Sequence, residues 1–389
     1  MARLPTLLVA CCALFAGCSL GDDDGSTPPQ IGVKANDEEA ASDLGFPFTA
    51  TKNTTRVGGG DAIADVAGVA GAVWPATSDT TRPKVVVLVD KDNWQGGVAA
   101  SVFAGGGIGA PLLLSDDDNL PAVSDDTLNR LDPRGSDASK GAAIIRIGSR
   151  PPEPGGYKTT TIDGDDVYEL AAEIDRFHTV ATGEPSDDVI IASGERAEYA
   201  MPAAAMAARS GDAVLLAGRD DLPAPSVDGL KRHEKPDVFI LGPDTVIGPE
   251  VEKKVKPLAR RVQRIEGPTP VQNAIAFARF QSGGFGWGAE VPGQNFTVAS
   301  TSRPLDAAGA ASLATNGVFA PLLLTDDSET LPRSLESYLL DVQPGFESDP
   351  RLSVFNHVWI LGDEDTISVE EQGRLDEITA LIPVEISGE

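Results

Sequence analysis

Short acidic turns that follow an apolar run are the residues of this sequence best suited to bind a ligand. They come after the runs 112–114, 213–217 and 322–324. Carboxylates in such turns could bind sugar hydroxyls or a divalent cation such as Ca²⁺ or Mg²⁺. The same residues could instead serve only to form turns and to cap the next helix. The acidic residues that we predict to contact a ligand are Asp116, Asp117, Asp220 and Asp326.

Serine-containing turns follow a second set of apolar strands. Ser193 ends the run 189–193, and Ser300 ends the run 296–300. Neighbouring parallel strands place their carboxyl ends at one edge of the sheet, where open α/β sheets bind ligands. We therefore expect Ser193 and Ser300 to border the same pockets as the acidic turns.

Residues that would indicate catalysis are scarce. The three histidines, His178, His233 and His357, show neither metal-ligand spacing nor a nucleophile motif around them. The glycine runs 58–60 and 105–107 form neither a dinucleotide-binding fingerprint nor a Walker motif. We predict that the chain is not an enzyme and that it has no catalytic residue, no resident metal and no cofactor.

The acidic turns belong to a unit that is repeated along the chain. A Leu-Pro pair follows each apolar run, and the three pairs are about a hundred residues apart. A period of this length indicates tandem small domains rather than a solenoid, whose repeats run at roughly 20–50 residues. The three pairs are Leu120-Pro121, Leu222-Pro223 and Leu331-Pro332.

Each repeat alternates short apolar strands with helical stretches, which predicts an α/β fold with parallel sheets. Continuous apolar runs such as 85–89 are typical of strands that helices cover on both faces. We predict that Leu113 and Leu323 are buried residues of central strands. The fold class is thus three tandem Rossmann-like parallel-sheet repeats. The strand 55–57 opens the first repeat, and 383–386 resembles the same strand closing the last one.

The order of these elements resembles the cell wall-binding repeat 2 family of Gram-positive surface proteins. It runs from an apolar strand and an Ala-rich helix through the motif APLLLSD at 110–116 and Leu-Pro to a strand that ends in Gly. The resemblance implies three copies around a pseudo-threefold axis that bind a wall polymer without covalent chemistry. That family tends to begin its Ala-rich helix with Asp-Ala-Leu, which Asp306-Ala307-Ala308 approaches, so Asp306 joins the predicted ligand contacts.

The N-terminal segment reads as a lipoprotein signal. Residues 1–17 combine a basic start with an apolar stretch too short to span a bilayer, and Ala16-Gly17-Cys18 resembles a lipobox. Cys18 is therefore predicted to carry a lipid that anchors the protein to the cell membrane; an ordinary secretion signal is the alternative. Residues 18–53 are acidic and poor in large apolar residues, which predicts a disordered tether.

The net charge of −28 argues against a nucleic-acid partner, since such proteins need a positive footprint. We predict an extracytoplasmic, wall-associated lipoprotein that binds a cell-wall polymer or glycan, with Ca²⁺ or Mg²⁺ bridging to the polymer if it is anionic. A solute receptor with a cleft between repeats is the main alternative, and a hydrolase is a third. The predicted boundaries are signal 1–17, tether 18–53, unit 1 at 54–150, unit 2 at 151–260 and unit 3 at 261–389.

Overall fold

Parallel sheets of the same design recur along the chain in the computed structural model, which describes residues 49–384 apart from residues 106 and 316. The predicted signal peptide, the lipid attachment site Cys18 and most of the predicted tether lie outside the described residues. The strands are β1 (Thr49–Ala50), β2 (Thr54–Val57), β3 (Val86–Asp90), β4 (Leu112–Ser115), β5 (Ile144–Ile147), β6 (Thr159–Ile162), β7 (Asp188–Ser193), β8 (Ala213–Ala217), β9 (Asp237–Leu241), β10 (Arg261–Ile265), β11 (Gln281–Ser282), β12 (Phe285–Gly286), β13 (Asn295–Ser300), β14 (Leu322–Thr325), β15 (Gly345–Phe346), β16 (His357–Leu361) and β17 (Ile382–Pro383).

Helices connect these strands and cover the sheets. Several begin at a side chain that caps the helix N-terminus, such as Asp61, whose carboxylate accepts the Ala64 N–H at 2.8 Å. The helices are α1 (Ala62–Val73), α2 (Trp94–Ala100), α3 (Ala122–Leu131), α4 (Val167–Thr182), α5 (Ala197–Ser210), α6 (Ala224–Arg232), α7 (Pro249–Val255), α8 (Pro270–Arg279), α9 (Asp306–Ala310), α10 (Arg333–Asp341) and α11 (Val369–Ile378).

Three sheets share one strand order. Sheet 1 runs β4-β3-β5-β6, sheet 2 runs β8-β7-β9-β10, and sheet 3 runs β14-β13-β16-β2, with all of these strands parallel. The fourth strand of sheets 1 and 2 comes from the start of the next repeat. Sheet 3 takes its fourth strand from the beginning of the chain, where Val358 pairs with Thr54 and Leu361 with Val57. The chain start and the last repeat are therefore joined in one sheet.

Two features near the chain ends differ from the sequence prediction. The strand that closes sheet 3 is β2, not the predicted 383–386, because Ile382–Pro383 pairs with Gly345–Phe346 instead. Residues 49–53, predicted to belong to the tether, are part of the fold. Thr49–Ala50 pairs antiparallel with β2, and buried Asn53 donates its backbone N–H to Asp376 at 2.7 Å.

The apolar core confirms the predicted burial of the leucine runs. Leu113 and Leu323 are both fully buried. Their strands, β4 and β14, lie at the end of their sheets rather than in the centre as predicted. Helices α1 and α8 pack on these two strands, so an end strand is shielded from water as a central one would be.

Three alanine-rich helices from successive repeats contact one another in one core cluster. Helices α2, α5 and α9 all pack together, and small residues permit the close approach. A Cβ added at Gly105, just beyond α2, would lie 1.9 Å from the carbonyl oxygen of Ala208 in α5. These contacts link all three repeats; the pseudo-threefold axis itself stays a prediction. Between residues 49 and 384, no helix has both the length and the apolar character that crossing a membrane requires.

Candidate ligand-binding edges

At the carboxyl edge of sheet 1, the ends of β3, β5 and β6 and the start of α4 border an open cleft of about 490 Å³. The carboxylate of Asp90 lies buried at its base and accepts the backbone N–H groups of Asp92 at 3.1 Å and Asp117 at 2.8 Å. The exposed guanidinium of Arg150 lies 3.4 Å from a carboxylate oxygen of both Asp90 and Asp117. This edge therefore offers an accessible cation beside accessible carboxylates.

The predicted residues Asp116 and Asp117 both lie at this edge with exposed side chains. Asp116 pairs with Lys91 at 3.5 Å between Nζ and Oδ1, and its backbone forms a bridge to Asn119. Asp117 has a φ of +50°, in the left-handed region that is uncommon for residues other than Gly. Its N–H is thereby turned toward Asp90. Both aspartates thus shape the turn and leave carboxylate oxygens open to solvent.

At the edge of sheet 2, a serine hydroxyl and backbone groups form the turn after β7. Ser193 is fully buried, and its Oγ accepts the N–H groups of Glu195 at 3.1 Å and Arg196 at 3.0 Å. This hydroxyl forms the turn that leads into α5, and Gln95 of repeat 1 donates to the neighbouring Gly194 carbonyl at 3.1 Å. Asp220 is exposed and has Arg219 at 3.7 Å. Of the two predicted residues, only Asp220 is accessible.

The edge of sheet 3 is closed by Arg303. Its guanidinium donates to Asp65 of α1 at 2.9 Å and to Asp363 at 3.2 Å, and also to the backbone carbonyls of Gly59 and Gly60. Arg303 occupies the position of Asn93 in repeat 1, where the Asn side chain only caps α2. Three residues that line the open cleft of sheet 1, Asn93, Ser149 and Leu170, therefore have counterparts here that form ion pairs.

Asp306 lies inside the protein rather than at a surface. It is fully buried where α9 meets α1, and neither of its carboxylate oxygens has a hydrogen-bond partner among the described residues. Burial raises the pKa of Asp306 well above its usual value, and the nearby Asp65 raises it further. Burial also raises the pKa of Asp65 to about 6, against the N–H of Gly59 and the charge of Arg303. Asp306 thus has no surface through which to touch a polymer.

Ser300 and Asp326 complete the predicted set. Ser300 is largely buried, and its Oγ lies 2.8 Å from that of Ser302. Asp326 is exposed after β14, and behind it the buried carboxyl of Glu371 has no hydrogen-bond partner among the described residues. Burial raises the pKa of Glu371 to about 7, and Asp326 and Asp327 add to this. Accessible carboxylates at this edge come from the acidic turn after β14 and from the exposed Glu364 and Asp365 after β16.

The sequence analysis did not identify Asp90, Asp65, Arg150 or Arg303 as site residues. An alignment of the repeats could have identified Arg303, because it stands where repeat 1 has Asn93. Asp65 stands where repeats 2 and 3 carry Leu170 and Asn273. The described residues hold no group of three or more His, Cys, Asp or Glu side chains placed to bind a metal ion.

Known proteins share this architecture. Residues 161–252 match the family model of cell wall binding domain 2 (CWB2). This match confirms the family resemblance over the segment from β6 to α7, about a quarter of the chain. It supports a wall-associated binding role.

Two solved structures resemble the chain beyond that segment. Cwp8 from Clostridium difficile has a TM-score of 0.64 at 20% identity, covering 85% of this chain and 52% of Cwp8. Cwp6 from the same organism has a TM-score of 0.67 at 17% identity, covering 84% of this chain and 47% of Cwp6. At such identities the likeness shows the fold, and the chain spans about half the length of both proteins. No curated protein matches the chain in sequence.

Proposed function

We propose that this chain is a non-catalytic lipoprotein that binds a cell-wall polymer outside the cytoplasm through three tandem repeats. The observation that carries the proposal is the CWB2 match at residues 161–252. Sheets 1 and 3 repeat the strand order of the matched segment, which extends the argument to the whole described chain. The predicted lipid at Cys18 would hold the body at the membrane, and residues 18–48 would give it reach toward the wall.

Binding at the sheet edges needs only hydrogen bonds and charge. The exposed carboxylates of Asp116, Asp117, Asp220 and Asp326 accept hydrogen bonds from sugar hydroxyls, and Arg150 donates them. A net charge of −28 repels an anionic polymer, so Ca²⁺ or Mg²⁺ would bridge the carboxylates to such a ligand. Three weak contacts on one repeating polymer raise the overall affinity well beyond that of one, because the later contacts are intramolecular.

Sedimentation of the full chain with purified wall sacculi tests this mechanism. The triple variant Asp117→Ala, Asp220→Ala and Asp326→Ala should bind about 10²-fold more weakly than wild type, whereas each single variant should lose only a few-fold. Chelation of divalent cations should weaken wild-type binding if the polymer is anionic. Stripping the non-peptidoglycan polymer from the sacculi identifies which component is bound.

A matched triple variant controls for net charge. Asp79, Asp228 and Asp349 carry carboxylates in exposed ion pairs away from the sheet edges. Their combined replacement by Ala removes the same charge and should leave sacculus binding unchanged. Equal loss in the two triple variants, or no loss in either, would refute the edge mechanism.

Anchoring is tested separately. Cys18→Ala should release the protein from the membrane fraction or leave its precursor uncleaved. Intact-mass measurement of the wild-type protein should show an acylated N-terminus. An unacylated mature N-terminus would leave wall binding as the only means of retention at the cell surface.

A receptor for a small polar solute is the second candidate. The cleft of about 490 Å³ at the edge of sheet 1 favours it, because this cleft has the size of a small-molecule site and has polar groups on its walls. In that case Arg150→Ala alone should abolish binding of the solute, and Asp220→Ala or Asp326→Ala should have no effect. The single and triple variants above therefore separate the two functions.

A further inference from the structure

A second cleft, of about 450 Å³, opens at the amino-terminal end of sheet 2, the end opposite to the edges described above. The loops that precede β7 and β8 form its walls, together with the last turns of α4 and α5. We call it the amino-end cleft. Its polar lining includes His178, Thr182, Ser186, Asp187, Ser210 and Asp212.

Two of these residues depart from the repeat pattern. Asp212 lies five residues before Ala217, the last paired residue of β8. At the same distance from the last paired residues of β4 and β14, repeats 1 and 3 have the buried alanines Ala110 and Ala320. His178 lies twelve residues after the helix-capping Asp166, where repeats 1 and 3 have Val73 and Gln281. A buried carboxyl and a buried imidazole thus occur together in repeat 2 alone.

Both side chains are more than nine-tenths buried and border the cleft. The Nε2 of His178 has no hydrogen-bond partner among the described residues, although an isolated buried polar atom destabilises the fold. Burial lowers the pKa of His178, which favours the neutral imidazole with one acceptor nitrogen. Burial raises the pKa of Asp212 to about 7, and Asp188 and Asp187 contribute.

The electrostatic environment of the amino-end cleft favours a cation. Helices α4 and α5 end there at Thr182 and Ser210, and the carbonyl end of a helix carries partial negative charge. Asp187 and Glu184 add carboxylates, and no Lys or Arg is among the described residues that line the cleft. Acceptors therefore predominate on its walls.

We infer that the amino-end cleft binds a primary ammonium group, with the carboxylate of Asp212 as counter-ion and His178 as a neutral acceptor. An ammonium has three donors and no acceptor, which complements this lining. The ligand would carry the ammonium either on an amino sugar without its acetyl group or on a lysine-type side chain. This site is independent of the sheet edges in the proposed function, because it lies at the other end of the strands.

Calorimetric titration of the full chain tests the inference with matched pairs of probes. Glucosamine is compared with neutral N-acetylglucosamine, and Nα-acetyl-lysine amide with neutral Nα-acetyl-norleucine amide. In the pair that represents the true source, the charged probe should bind more than about tenfold more tightly, as expected for a charge-assisted hydrogen bond. Equal binding of both members in each pair, or no binding of either charged probe, would overturn the inference.

Variants assign the binding to this cleft. Asp212→Ala introduces the residue that repeats 1 and 3 already carry, and it should reduce affinity for the charged probe at least about tenfold. Asp212→Asn provides the same test in a closer shape should the Ala variant fold poorly. Asp79→Ala, at an exposed aspartate outside both this cleft and the sheet edges, is the control and should bind as wild type does. Unchanged affinity in Asp212→Ala and Asp212→Asn would refute the assignment.

The pH dependence and the imidazole signal provide two further readouts. Asp188, Asp187, His233 and Ser210 face Asp212, and Asp175 and His233 face His178. Affinity for the lysine probe, whose ammonium stays charged to about pH 10, should rise between pH 5 and pH 8 as the carboxyl loses its proton. The His178 ring resonances should shift when the probe is added. Affinity that falls over this pH range, or unmoved resonances at saturation, would contradict the inference.

Discussion

The carboxyl edges of sheets 1 and 3 follow the same chain path and differ in what fills them. In sheet 1, Asp90 is satisfied by backbone N–H groups and leaves Arg150 exposed beside an open cleft. In sheet 3, Arg303 stands in place of Asn93 and is held between Asp65 and Asp363. Arg303 in place of Asn93 and Asp65 in place of Leu170 thus fill this edge with an ion-pair cluster, whereas the corresponding edge of sheet 1 stays open. We expect the three repeats to contribute unequally to binding.

The largest expected difference between the two edges is in stability. Arg303→Ala leaves the fully buried Asp65 without its ion-pair partner, and loss of one member of a buried pair lowers the free energy of unfolding by about 3–5 kcal/mol. Arg150→Ala removes an arginine whose side chain is 62% exposed, where ion pairs contribute about 0–1 kcal/mol. Urea denaturation of both variants measures the contrast. Equal losses of unfolding free energy in the two variants would contradict a structural role that Arg303 has and Arg150 lacks.

The cores beneath the two edges should respond alike. Leu113 and Leu323 are both fully buried at matching positions of β4 and β14. Leu113→Ala and Leu323→Ala should each lower the free energy of unfolding by about 2–5 kcal/mol. Thermal and urea unfolding measure this. A loss below about half a kcal/mol at either position would show that the equivalent strands are not equally packed.

The buried carboxyls of sheet 3 should make stability depend on pH. Because the pKa values of Asp306 and Asp65 are raised in the folded state, the unfolded chain releases these protons first as pH rises above about 4. The contribution of these two carboxyls to folded stability therefore falls from about pH 4 through pH 6 and above. Asp306→Asn should match wild type near pH 4 and exceed it at pH 8 by on the order of 1–3 kcal/mol. The exposed Asp326→Asn is the control, and a gain that shrinks with pH would contradict the sign.

The smallest stability effect is expected at the exposed turn of sheet 1. Asp116→Ala removes a solvent-screened ion pair with Lys91, so the free energy of unfolding should stay nearly unchanged. Sacculus binding should nevertheless fall a few-fold if this turn contacts the polymer. A stability loss above about 2 kcal/mol would instead assign Asp116 a structural role.

Local patterns were sufficient to predict the repeats, the parallel sheets and the burial of Leu113 and Leu323. They could not predict that β2 closes sheet 3, because β2 and β16 are some three hundred residues apart in the sequence. The sequence of β2 also resembles those of β6 and β10, so it does not show which sheet β2 joins. The same distance separates Arg303 from Asp65. Periodicity also cannot tell an end strand from a central one when a helix covers both. Of the predicted site residues, the exposed aspartates lie at the sheet edges. Ser193 and Ser300 are buried because their hydroxyls form turns, and Asp306 is buried because two helices pack over it.

The pairing of β2 with β16 has a mechanical consequence. If the chain is held at Cys18 and its body is attached to the wall, any tension between membrane and wall enters the fold at Thr49–Ala50. The two-residue strand β1 would peel from β2 first, since it has few hydrogen bonds to break. The load would then act along β2, whose parallel ladder to β16 shares it over several bonds. Single-molecule pulling from the N-terminus should therefore show an early, small extension before the body yields.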